Sequence, residues 1–344
     1  MKMTESERTE WVGLFQAAVL FAREAFWDRF EDNQLFGVAD PVSGEICYAA
    51  IMGYLGEVFG LAVYLGDEGF AYYQKVQSTE IGPEDPRALF ENRSLVVSFE
   101  DRKDLASADR CLIKELRLQF RGKKSWPVFR SLRPGFYPWS LDLSEVRLLR
   151  PVLEQVTSMA RSMVLTPGTV PSSGLGEVWV RVPEGENTPL TWKDTMIKPK
   201  PPAAKPVPLF PPDRDVIEML KKDCRPNKNE VLLDWMFFGV PAQENKERPY
   251  FPFALLLVNS RGLIEDFSMG HPQRPLTAIR DEFLNMIRKR KSFWRRVSCY
   301  DESLLALIGP SAEAIGILTK KLDNAQTMHE FRKFIYQQFN KLTQ

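Results

Sequence analysis

Near the start of the chain, Trp11, Leu14, Phe15, Ala18, Phe21, Ala22 and Ala25 recur at steps of three and four. That spacing marks one face of a helix and predicts it over residues 5–31. The period then shortens. Residues 35–38, 46–52 and 58–65 are apolar runs of strand length. Between them lie Asp40-Pro41-Val42-Ser43-Gly44 and Tyr54-Leu55-Gly56-Glu57, whose composition turns the chain. A short helix over 67–77, a strand over 94–99 and a helix or strand over 109–120 follow. Over 144–164, Val152, Val156, Met159, Ala160 and Met163 share one side of a helix that Ser144 can cap. Pro151 falls inside this helix and is expected to set its first turn apart. With a last strand over 176–182, the pattern predicts an α+β domain on an antiparallel sheet over residues 1–195.

Residues 198–212 read KPKPPAAKPVPLFPP, with seven prolines in fifteen positions. Proline donates no backbone hydrogen bond and holds its predecessor extended. Residues 196–212 are therefore read as a semi-rigid linker, with a docking peptide for an aromatic groove as the alternative. Beyond it, Asp213 caps a helix to about Lys222. Strands follow over 230–240, 253–259 and 263–269, the last two joined by the turn Ser260-Arg261-Gly262. A helix over 276–291 buries Ile279, Phe283, Met286 and Ile287. A strand over 296–300, a helix over 302–308, a strand over 316–320 and a helix over 327–342 complete residues 213–344. After the capping helix the order is β-β-β-α-β-α-β-α.

Composition narrows the function classes. The 344 residues carry 46 Lys+Arg against 45 Asp+Glu, which excludes a uniformly basic nucleic-acid coat. The balance is an average of unlike parts. Residues 1–100 hold 17 acids and 7 bases, and residues 101–344 hold 28 acids and 39 bases. Cys47, Cys111, Cys224 and Cys299 are scattered, without a CxxC pair, so a zinc site or disulfide framework is not expected. The N-terminus MKMTESERTEW lacks a signal-peptide apolar core. The longest apolar runs, such as 253–258, fall short of the roughly 20 residues a bilayer demands. A cytoplasmic protein with no membrane partner is expected.

Two resemblances enter here. The segment GVADPVSGEICYAAIMGYLGEVFGLAVYLGDEG resembles an uncharacterised bacterial family carrying a similar DP-TGE, IMG-GE and VYLG-EG series. Its members often continue through a proline-rich linker into a second uncharacterised domain. This likeness covers nearly the whole chain, implies the two-domain division and supplies no activity. The order of elements after the linker resembles the ribonuclease-H-like fold of integrases and nucleases. LLDWMFF places Asp234 in the first strand, FALLLVNSRGLIEDF resembles the hairpin, and RVSCYDES places Asp301 after the fourth strand. The resemblance implies a third carboxylate on the final helix, where Glu330 stands. Asp301 is followed by Glu302-Ser303 rather than a glycine-containing turn, and Glu330 comes early, so the set departs from the family pattern.

Asp234 is the most informative of these residues. A carboxylate inside an apolar strand is costly without a metal, an arginine or backbone donors. If the site is active, Asp234 and Asp301 would hold Mg²⁺ or Mn²⁺, with Glu330 completing the catalytic set of a nuclease or strand-transfer enzyme. No cofactor is otherwise implied. The bland readings are a turn or helix cap for Asp301 and surface exposure for Glu330. A second candidate is the run Arg288, Lys289, Arg290, Lys291, Arg295 and Arg296, with Trp294 among them. Clustered cations suit phosphates and an aromatic can stack on bases, while a solvated helix end explains the charges equally and Trp294 can equally be a core residue. Gly53, Gly56 and Gly60 form no dinucleotide fingerprint and are read as turn positions needing positive φ. Glu45 and Glu57, at strand ends, could bind a cation or basic partner. His271 and His329 are too few for a histidine-rich metal site, and Cys299 is read as a buried, inert thiol. The sequence therefore favours a non-enzymatic binding or regulatory protein, with nucleic acid or another protein as partner. A metal-dependent nuclease is the alternative.

Overall fold

Helix α1 (Glu5–Glu24) starts at a reciprocal cap: the Glu7 amide donates to Thr4 Oγ1 at 3.2 Å and the Thr4 amide to Glu7 Oε2 at 2.7 Å. It ends earlier than the periodicity suggests. Ala25 takes a left-handed φ of 48°, which breaks the helical ladder, and a 3-10 turn, Phe26–Asp28, replaces the last turns. The computed structural model describes residues 3–82, 88–166, 176–185, 190–200, 210–245, 247–274, 276–323, 330 and 332–333. It divides into two units. Unit 1 is Met1–Pro134 with Pro138–Pro202, and unit 2 is Gly135–Tyr137 with Ala203–Gln344.

In unit 1 the elements after α1 are β1 (Leu35–Ala39), β2 (Ile46–Met52), β3 (Gly60–Leu65), α2 (Gly66–Gln77), α3 (Ala88–Glu91), β4 (Ser94–Glu100), α4 (Ser107–Glu115), β5 (Trp126–Leu132), α5 (Leu143–Leu165), β6 (Val178–Glu184) and β7 (Thr191–Ile197). The strands form one sheet in the order β5-β4-β3-β2-β1-β6-β7. β2 reads as a continuous apolar run because both its faces are covered. Cys47, Ala49 and Ile51 join the large core with α1 and α5, whereas Tyr48 and Ala50 pack with Phe70 and Tyr73 of α2. The expected all-antiparallel sheet is corrected at one place. β6 returns through the long helix α5 and pairs parallel to β1, so the sheet is mixed. The helix cap is also corrected: Asp142, not Ser144, accepts from the Glu145 amide at 2.9 Å. The helix runs unbroken through Pro151.

β5 and β7 have no signature in the periodicity, and both are edge strands. β5 contains Pro127, tolerated where no neighbour needs its missing N–H. β7, TWKDTMI, is polar at four of its seven positions and nowhere fully buried, as an edge strand can be.

Unit 2 contains α6 (Arg214–Asp223), capped by Asp213, then β8 (Arg225–Pro226), β9 (Glu230–Phe237), β10 (Phe253–Asn259), β11 (Ile264–Gly270), α7 (Leu276–Arg290), β12 (Ser292–Phe293), β13 (Arg296–Cys299), α8 (Glu302–Ala314) and β14 (Leu318–Lys321). Its five-stranded sheet has the order β11-β10-β9-β13-β14. β9, β10 and β11 are antiparallel neighbours, and β13 and β14 add parallel to β9. α8 extends past the predicted 308 and through Pro310. The short parallel pair β8–β12 leaves no mark in the sequence, since two residues carry no period. Of the predicted terminal helix over 327–342, Glu330, Arg332 and Lys333 are described, and they are helical; the rest, with His329, lies outside the described residues. So does 201–209 of the proline tract.

Candidate functional site

Asp234 lies at the middle of β9, opposite Leu256 of β10, on the face that carries Leu232 and Met236. Its side chain is fully buried. Arg332 satisfies it in a bidentate fork. Nε donates to Oδ2 at 2.6 Å and Nη2 donates to Oδ1. Burial pushes the Asp234 carboxyl up from its ordinary range, while the guanidinium and the Trp235 backbone N–H pull it down. The planar fork matched to both oxygens is the geometry of a charge-assisted pair.

Asp301 is engaged as completely. Its Oδ1 accepts the amides of Ser303 at 2.8 Å and Leu304 at 3.1 Å, capping α8. Its Oδ2 accepts the Trp235 indole N–H at 2.6 Å. Beside it, Cys299 is buried and donates to the Asp301 carbonyl at 3.2 Å, and burial pushes this thiol up to about 12. Glu330 is exposed. It stands two residues from Arg332 on a helical stretch, and residues two apart do not share a helix face.

Asp301 lies near enough for its charge to push the Asp234 carboxyl further up, but each of the two carboxylates is already held by other donors. Among the described residues, no group of three or more His, Cys, Asp and Glu is placed to hold a metal ion. Mg²⁺ or Mn²⁺ needs free carboxylate oxygens. Here a guanidinium takes both oxygens of Asp234, and helix amides and an indole take those of Asp301, so the donor set does not fit the ion. Sequence reasoning requires a partner for Asp234 but cannot single out Arg332, which lies 98 positions away.

The basic run separates into two kinds of residue. Trp294 is corrected: it is fully buried and its indole donates to Glu265 Oε2 at 3.1 Å, so it has no face for a base. Arg290 pairs with Glu265 at 3.1 Å and Arg296 with Glu230 at 2.9 Å. Arg288, Lys289, Lys291 and Arg295 are exposed. They stand at the end of the sheet where β9 and β13 begin, and the Arg295 amide bonds the Asn229 carbonyl at 2.9 Å.

The remaining candidates have structural settings. Glu45 takes a two-pronged bond from Arg93 at 2.9 and 3.2 Å, and Glu57 is exposed in its turn. Gly53 has the expected positive φ, 130°, but Gly60 does not; it is needed because a Cβ there would lie 2.0 Å from the Val97 carbonyl oxygen. His271 packs against Tyr250, with ring centroids 4.4 Å apart, and its Nδ1 accepts the Gln273 amide at 3.2 Å. No helix among the described residues is long and apolar enough to cross a membrane.

The fold and its two polar centres thus define a two-unit α+β protein. Residues 11–181 match the model of a family described as a domain of unknown function (DUF7309). Residues 216–336 match that of a second domain of unknown function (DUF6930). No curated protein and no solved structure matches the chain.

Proposed function

We propose that this is a non-enzymatic binding or regulatory protein of the cytoplasm. In this reading residues 1–195 and 213–344 are its domains, residues 196–212 are the proline-rich linker, and the second domain is a ribonuclease-H-like framework without metal chemistry. The order β-β-β-α-β-α-β in unit 2 supports the framework, with β9 central and β13 and β14 added parallel to it. The observation that carries the loss of chemistry is the Arg332 fork on Asp234. A guanidinium supplies there the positive charge that a divalent ion would supply in a nuclease. A buried carboxylate is stable only with such compensation.

The test is a pair of measurements on the full chain. Mg²⁺ or Mn²⁺ at millimolar concentration is expected to leave the melting temperature unchanged, because a ligand bound to the native state would raise it. Labelled single- and double-stranded DNA is expected to remain intact. Metal-dependent cleavage that disappears in Asp234→Asn would overturn the reading.

A further inference from the structure

We infer that the end of the unit 2 sheet where β9 and β13 begin is a binding surface for the phosphate backbone of a nucleic acid. The inference rests on the reading of unit 2 as a module that binds rather than cuts, and it names the ligand class. Three separate segments build the surface. The β8–β12 pair clips them together: the Arg225 amide donates to the Lys291 carbonyl at 3.1 Å, and the Asn227 amide to the Phe293 carbonyl at 2.9 Å. This sets Lys228 and Asn229 beside the basic end of α7. The β10–β11 turn adds Arg261. Between Lys228, Asn229, Asn259, Ser260 and Arg261 lies a depression of about 590 Å³, with Glu230 and Glu265 in its lining.

The charge balance there decides the ligand's sign. Both glutamates are occupied, Glu230 by Arg296 and Glu265 by Arg290 and the Trp294 indole. Lys228, Arg261, Arg288, Lys289, Lys291 and Arg295 are exposed and have no carboxylate partner among the described residues. The surface is left with a cluster of unneutralised cations. Neutral donors lie among them. The Asn259 side-chain oxygen accepts the Arg261 and Leu263 amides at 2.9 and 3.1 Å, which leaves its NH₂ group to donate. Cations mixed with neutral donors suit phosphate oxygens. Phe293 and Trp294, the aromatic residues of the run, are buried. Base stacking is therefore not available from them, and recognition goes through phosphates, with little dependence on sequence.

Fluorescence anisotropy of the full chain with a labelled DNA duplex of about 20 base pairs tests this across about 50–200 mM salt. Wild type is expected to bind with an affinity that falls linearly on a log–log plot. The combined Lys228→Gln, Arg261→Gln, Lys291→Gln and Arg295→Gln protein is expected to bind at least about tenfold more weakly, with a slope shallower by about 0.9 for each phosphate it no longer neutralises. A control neutralising Lys103, Lys114, Arg117 and Arg121, exposed in unit 1, should match wild type. All eight positions are exposed, so an unchanged melting temperature verifies folding. No binding at the lowest salt, or equal binding by both variants, would overturn the inference, as would a polyglutamate peptide that displaces the duplex at equal charge. Duplex cleavage in Mg²⁺ by a protein that still binds would instead defeat the non-enzymatic reading and leave the surface standing.

Discussion

Each unit holds a carboxylate–arginine centre, and the two are built in opposite ways. In unit 1, Arg133 donates to Glu145 Oε1 from Nε at 3.1 Å and from Nη2 at 2.7 Å, and to Asp142, while the Ser131 hydroxyl donates to Glu145 at 2.6 Å. All four residues fall within fifteen positions, around the start of α5. The centre is a helix cap enlarged by one arginine; that arginine is 43% exposed, Glu145 10% and Asp142 50%. In unit 2 the fork joins β9 to a residue almost a hundred positions later; Arg332 is 34% exposed and Asp234 not at all. The first centre fastens a local turn that water can partly solvate. The second closes a long loop over a carboxylate that water does not reach, so loss of its partner is far more costly.

The largest expected effect comes from breaking the buried fork. Arg332→Ala leaves an uncompensated carboxylate in the sheet and is expected to lower the stability of unit 2 by about 3–5 kcal/mol, measured by urea unfolding. The double substitution Asp234→Leu with Arg332→Met removes both charges and should recover most of that loss, since apolar replacements of buried ion pairs are often neutral or better. A cost below about 1 kcal/mol for Arg332→Ala would place the fork in the class of surface pairs and erase the contrast between the centres.

The same contrast explains what can be read from the chain. The β-β-β-α-β-α-β order, the cap at Asp213 and the turn at Asp40-Gly44 rest on neighbours in sequence, and the periodicity reveals them. The turn is held by the Asp40 carboxylate, which accepts the Ser43 amide at 3.1 Å. Edge strands β5 and β7 escape because they lie at the two ends of the sheet and their composition drifts toward proline and polar residues. The parallel pairing of β1 with β6 escapes because a strand carries no mark of its neighbour's direction. At the candidate site, the apolar surroundings of Asp234 demand a partner, but metal, arginine and amide satisfy that demand equally. The choice depends on a contact across the fold. Trp294 shows the converse case: a charged neighbourhood in sequence suggests exposure, while stacking on Phe283 and the bond to the Glu265 carboxylate hold its ring inside, in the link between β12 and β13.

Smaller effects separate the parts of the unit 1 centre. Glu145→Ala strips the Ser131 hydroxyl of a buried acceptor and is expected to cost about 1–3 kcal/mol. Asp142→Ala removes a cap and is expected to cost about 1 kcal/mol, by thermal or urea unfolding. The pH dependence of Asp142 has a definite sign. Partial burial alone would raise its carboxyl, but the Ser144 hydroxyl, the Glu145 amide and the Arg133 guanidinium together hold it below the ordinary value of 3.8. The folded state therefore favours the ionised form more than the unfolded chain does. This contribution is fully present above the unfolded value, and it is lost as pH falls below about 4 and through the depressed folded value. Wild type and Asp142→Asn should thus differ most in stability near neutral pH and converge once the pH has fallen through the depressed folded value. A difference that stayed constant down the acid limb would assign the effect of Asp142 to packing at the helix start rather than to its charge. The unit 1 centre would then differ from the buried fork in kind as well as in size.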